Sequence, residues 1–174
     1  MQHAYVPILG FSAFSGTGKT TLLIQLIPLL KLHGLRIGLI KHSHHEFQID
    51  QPGKDSFRLR EAGATTVMLS SSHRRAIISE ILPTREPSLD NELKLLDQSQ
   101  LDLILVEGFK TEQFPKIELH RSSLNKPLLY PGDHNIIALA TDIEMSLPEN
   151  IILLDINRPE MIADFILKQL MGHL

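Results

Sequence analysis

A chain of 174 residues fits one domain, and 43% apolar against 21% charged residues is ordinary for a globular protein with a core of its own. A formal charge of −3 supplies no strong field toward nucleic acid or anionic lipid, so neither is an expected partner. Cysteine is absent, which excludes disulfides and thiolate metal sites and fits a reducing, cytoplasmic setting.

The N-terminus lacks the basic and apolar regions of a signal peptide, and no apolar run approaches the ~20 residues of a membrane span. Residues 6–12 are instead a short apolar run that reads as a buried strand. After a glycine-rich stretch, apolar residues recur at helical spacing from Gly18 to His33. Pro28 is expected to kink that helix and Gly34 to stop it. Residues 35–41 form a second strand, and a strand, helix and strand joined this tightly give a right-handed parallel crossover. A polar segment, 42–54, carries three histidines and two acids and is too long for a simple turn. Asp55 is placed to cap a short helix over 56–62.

Residues 65–70 and 75–80 read as a hairpin, 83–87 as a surface turn, and Leu89, Leu93 and Leu96 as one face of a helix starting near Ser88. Residues 101–107 are the most apolar strand and are expected to be central. The strict alternation of 116–120 suggests an edge or half-exposed strand, whereas 136–140 and 151–154 read as short buried strands. Pro159 opens a last helix with Met161, Ile162, Phe165, Ile166 and Leu170 on one face. Strands alternating with helices predict an α/β fold of the phosphate-loop NTPase type. Its central sheet is mainly parallel and flanked by helices, with some antiparallel edge strands, in a single domain spanning 1–174.

The chemistry concentrates in Ser15, Gly16, Thr17, Gly18, Lys19, Thr20 and Thr21, between the first strand and the first helix. Glycines there let successive backbone N–H groups turn onto a polyphosphate, and the helix N-terminus adds unpaired donors. Lys19 can reach the outer phosphates and the Thr20 hydroxyl can ligate Mg²⁺. The usual pattern opens with glycine, and here Ala13 takes that position. Glu107, ending the central strand, is where phosphate-loop proteins carry a carboxylate for Mg²⁺ or for the attacking water. Lys19 and Glu107 are therefore the candidate catalytic pair, and Thr20, Glu107 and Asp50 the candidate Mg²⁺ ligands. Thr141 and Asp142 follow another buried strand, and a carboxylate there can accept N1–H and the 2-amino group of guanine. Turn formation is the plain alternative for that pair. His42, His44 and His45 invite a Zn or Ni reading, but without cysteine or a second ligand set a solvated or phosphate-contacting loop is favoured.

The blocks 15–21, 38–45, 52–56 and 101–110, with 153–157 near the end, resemble the molybdopterin-guanine dinucleotide biosynthesis adapter protein B family over nearly the whole chain. The Ile-Lys-His-Ser-His-His and Leu-Val-Glu-Gly-Phe-Lys blocks are far more specific than the phosphate loop. The resemblance implies a GTP-binding, weakly GTP-hydrolysing accessory protein. Its implied partners are the guanylyltransferase that joins GMP to molybdopterin, with molybdopterin as a further ligand to consider, and a second copy of the chain through sheet edges. A small-molecule kinase would share the loop but usually has an arginine-rich lid, and a metallochaperone GTPase would use the histidine loop but usually has cysteine near it.

Overall fold

The structure, a computed structural model, describes residues 1–43, 47–81, 83, 86–170 and 172. The chain divides into two compact units, one of residues 1–42 and 88–174 and one of residues 43–87.

The first unit is built on a six-stranded sheet. Its strands are β1 (Ile8–Ser12), β2 (Ile37–Lys41), β5 (Leu103–Glu107), β6 (Lys116–Leu119), β7 (Ile136–Thr141) and β8 (Ile152–Asp155), in the order β2-β5-β1-β6-β7-β8. Every pairing in it is parallel. Parallel strands need both faces covered, and the sequence supplies apolar residues to both. Leu9, Phe11, Leu103 and Leu105 turn to one face, where α1 (Lys19–Leu32) brings Leu22, Leu23, Leu26 and Leu30, and α4 (Pro159–Leu170) brings Ile162 and Ile166. Ile8, Ile104 and Val106 turn to the other, against Leu89 and Leu93 of α3 (Leu89–Leu95). The α1 helix runs through Pro28 as one element, and Ser88 caps α3 by accepting the Asn91 N–H.

Two strand assignments differ from the sequence reading. The alternating segment, β6, lies between β1 and β7 with all four residues buried. Its charged residues are tolerated inside because each has hydrogen-bond partners: Lys116 donates to the carbonyls of Lys110 and Glu112 and to Asp133, and Glu118 accepts the N–H groups of Leu129 and Tyr130. Conversely β8, which reads as buried, is the edge of the sheet, with Ile152 and Leu153 partly exposed.

The second unit holds α2 (Asp55–Glu61) and the antiparallel pair β3 (Thr66–Ser70) and β4 (Arg75–Ser79), a two-stranded sheet of its own. Lys54, not Asp55, is the N-cap residue of α2 and makes no side-chain cap. Asp55 lies in the first turn, and Asp50 accepts the Ser56 hydroxyl there at 2.8 Å. Arg60 of α2 donates to Glu80 at 3.1 Å, tying the helix to the segment after β4. Among the described residues no helix is long and apolar enough to cross a membrane.

Candidate functional site

At the carboxyl end of β1 the backbone turns through Gly16 and Gly18, with φ of 83° and 95°, and enters α1 with no side chain capping it. Neither glycine is there for lack of room, since an added Cβ would meet nothing within 4 Å. The requirement is the left-handed conformation itself, which L side chains rarely adopt. Thr17 closes the turn from inside: it is buried and donates its hydroxyl to the Phe14 carbonyl at 2.8 Å. Ser15, Gly16, Thr20 and Thr21 face outward. The first N–H groups of a helix have no acceptor within it, so this uncapped start presents donors and the positive end of its dipole to solvent.

Lys19, in the first turn, places Nζ 3.5 Å from Glu107 Oε1, and Lys41, ending β2, places its own 3.3 Å from Glu107 Oε2. The pairing follows from register: β1 and β2 both flank β5, and Phe11 and Lys41 are each level with Glu107. One carboxylate thus sits between two ammonium groups beside an open ring of backbone donors. The arrangement suits an anion with a divalent cation, because Lys19 can exchange Glu107 for a phosphate while Lys41 still holds the carboxylate in place. Thr20 and Glu107, two of the three expected cation ligands, lie at this one end of the sheet. Asp50 belongs to the second unit, where Oδ1 accepts the Ser56 hydroxyl and the Gln51 N–H and the buried Oδ2 has no hydrogen-bond partner among the described residues.

Thr141 ends β7, two strands from β1, and Asp142 follows it. Thr141 is buried, its hydroxyl 3.0 Å from His120 Nδ1. Asp142 accepts the Ser122 N–H at 2.9 Å and stands 3.8 Å from Arg121 Nη1. Ser122's hydrogen bond above all, and the nearby Arg121 charge, hold Asp142 below the ordinary carboxylate range against the effect of burial. Arg121 also donates to Asn157 Oδ1 beyond β8, at 2.7 Å. The carboxyl ends of β6, β7 and β8 therefore share one polar network. His42 N–H donates to the Glu107 carbonyl and its ring stacks on Phe109 at 4.8 Å, while His44 and His45 lie outside the described residues. Sequence reasoning did not single out Lys41, Lys110 or Arg121. No local signal marks Lys41, since the place of its strand beside β5 comes from the sheet order.

A glycine turn and an uncapped helix at the carboxyl edge of a parallel sheet define a class, the α/β proteins with a phosphate-loop-like first turn. Within that class the chain belongs to the family of molybdopterin guanine dinucleotide synthesis protein B, MobB, whose model matches residues 8–142. It is 46% identical over 164 residues to the molybdopterin-guanine dinucleotide biosynthesis adapter protein of Escherichia coli (strain K12), covering 94% of this chain and 93% of that protein. The protein of the same name from Haemophilus influenzae is 48% identical over 163 residues, covering 92% and 88%. A crystal structure of Bacillus subtilis MobB shares the fold with a TM-score of 0.73 at 26% identity, covering 96% of this chain and 99% of that one.

Proposed function

We propose that the chain is a GTP-binding adapter that assists the guanylyltransferase attaching GMP to molybdopterin, with weak GTPase activity of its own. The observation that carries this reading is Glu107 held between Lys19 and Lys41 beside the open Gly16–Gly18 turn. The backbone N–H groups of residues 15, 16 and 18–20 hold the phosphates, and Lys19 neutralises the outer ones. Thr20 and Glu107 are the residues that would hold Mg²⁺, which would supply positive charge to the outer phosphates. Asp142 stands two strand spacings from β1, roughly 10 Å, a span that a ribose and base can bridge. A carboxylate has about four acceptor positions, so Asp142 can keep Ser122 and still accept the two guanine donors. Family membership supports the accessory role and the guanylyltransferase partner. Molybdopterin contact belongs to the same reading, as does homodimerisation through a sheet edge, for which β2 and β8 offer the two edges.

Calorimetric titration with Mg²⁺–GTP and Mg²⁺–ATP tests it. GTP should bind more tightly, and Lys19→Ala should lose roughly ten- to a hundredfold in affinity while keeping its fold. Turnover by the isolated protein should lie well below the enzyme median of about 10 s⁻¹. Unchanged affinity in folded Lys19→Ala would reject the phosphate site, and equal affinity for both nucleotides would reject the guanine pocket.

A further inference from the structure

The connection between β5 and β6, residues 108–115, links two strands that flank β1, so it crosses the strand that carries the glycine turn. It begins in a backbone conformation that side chains avoid. Gly108 has φ 103° and Phe109 φ 50°, and a bulky residue in the left-handed region is a real outlier. At Gly108 the space is closed as well, since a Cβ would come within 2.6 Å of His42 Cβ. Strain of this kind persists only where the surroundings enforce it, and it concentrates at functional positions. Here the enforcement is visible: the Phe109 ring is buried and stacked on His42.

The turn aims the next residue back at the phosphate loop. Lys110 Nζ donates to the carbonyl of Ala13, the first residue of that loop, at 3.1 Å. Its backbone is fixed from the other side, because buried Lys116 donates to the Lys110 carbonyl at 2.8 Å and to the Glu112 carbonyl at 2.7 Å. Glu112 in turn accepts the Leu89 N–H at the start of α3. The anchoring is complete at the main chain, yet the Lys110 residue itself is exposed. An ammonium carries three donors, and the Ala13 carbonyl takes one.

We propose that Lys110 is a second cation of the phosphate site, which contacts the outermost phosphate of a bound nucleoside triphosphate while holding the Ala13 carbonyl. The proposal rests on the phosphate-site reading above. Glu107, three residues earlier, is the carboxylate that would hold the metal beside the outer phosphates. A cation delivered by the same turn therefore faces the outer end of the polyphosphate, and the glycine turn takes the inner phosphates.

The test is titration of the full chain with Mg²⁺–GTP and Mg²⁺–GDP, using wild type, Lys110→Gln, Lys110→Arg and Lys19→Ala. Glutamine keeps a donor for the Ala13 carbonyl but removes the charge. Lys110→Gln should weaken GTP roughly tenfold or more, the scale of one lost charge-assisted contact, and leave GDP within about threefold. Lys110→Arg should recover most of the GTP affinity, and all three variants should melt near the wild-type temperature. If Lys110→Gln binds GTP as wild type does while Lys19→Ala does not, the phosphate site stands and Lys110 is no part of it. Equal losses for GTP and GDP with a lowered melting temperature would make Lys110 a structural latch only and overturn the proposal. If wild type binds neither nucleotide, the phosphate-site reading fails and the proposal fails with it.

Discussion

Lys116→Met is the substitution that probes the frame of the site most directly. Lys116 is 1% exposed, and its ammonium donates to Lys110 O, Glu112 O and Asp133 Oδ2 at 2.8, 2.7 and 2.8 Å, above the ring of Phe114. Methionine keeps the apolar stem and removes all three donors. Two carbonyls and a carboxylate are then left short of a charged partner. Breaking one side of a buried pair costs about 3–5 kcal/mol. Asp133 keeps Asn135 and is 21% exposed, which places the expectation near the lower end, about 3 kcal/mol. That is a large share of the 5–15 kcal/mol that holds a typical domain together. Denaturant unfolding should show a lower midpoint at unchanged slope, and the melting temperature should drop by roughly 6–12 °C at about 2–4 °C per kcal/mol. Asp133→Asn should cost less, and the double mutant should show coupling of about 1 kcal/mol or more. A Lys116→Met protein within about 0.5 kcal/mol of wild type would mean that desolvation of the ammonium cancels its three hydrogen bonds, and the account of β6 would be wrong.

Two further outcomes follow from other contacts. Gly108→Ala forces a Cβ against His42 at a φ of 103°, so stability should fall by about 1–3 kcal/mol and Mg²⁺–nucleotide binding should weaken through the displaced Glu107; a variant unchanged in both would show that the turn is not enforced. Asp102 accepts three hydrogen bonds from Arg36, which hold its pKa at about 2, below the 3.8 of an ordinary aspartate. A folded pKa below the unfolded one gives stability that is present above the unfolded value and lost as pH falls through the folded one. Asp102→Asn should therefore flatten the decline of stability between about pH 4 and pH 2, and identical slopes in acid denaturation would refute the pairing's role.

Local signals carried much of this protein in its sequence. The strand, glycine turn and helix at residues 8–32 were legible because each depends on near neighbours: apolar runs, left-handed glycines and helical spacing. The parallel topology was legible from the alternation of strands with helices, and the interior place of β5 from its unbroken apolar run. What stayed hidden depends on contacts between distant residues. The alternation of Lys116 and Glu118 with Ile117 and Leu119 reads as one wet face until Asp133, Glu112, Leu129 and Tyr130 are seen to satisfy the charges. The contact of Lys110 is not legible locally, because Ala13, its partner, is 97 residues away. Asp142 read as a guanine acceptor from its place after a strand, but its bond to Ser122 comes from the turn after β6, and no local pattern announces it.

The two buried charges of β6 explain how one strand can steady two separate loops. Lys116 and Glu118 lie two residues apart and so point to the same face of the sheet. Lys116 offers donors, and it fixes the carbonyls of the connection that carries Lys110. Glu118 offers acceptors, and it fixes the N–H groups of Leu129 and Tyr130, leading into a short 3-10 turn at Tyr130–Gly132. The pairing of type is chemical necessity: loop carbonyls need a cation or a donor, and loop amides need an anion or an acceptor. Apolar residues in those positions would pack the same space and would leave both loops to water. Burial raises the Glu118 carboxyl above its usual range although both amide bonds oppose it, so the strand bears a real cost for this anchoring. Such a cost is understandable where loop position matters more than stability. Lys116 stands opposite Gly10 of β1 and Glu118 opposite Ser12, so both anchors sit directly beside the strand that leads into the Gly16–Gly18 turn.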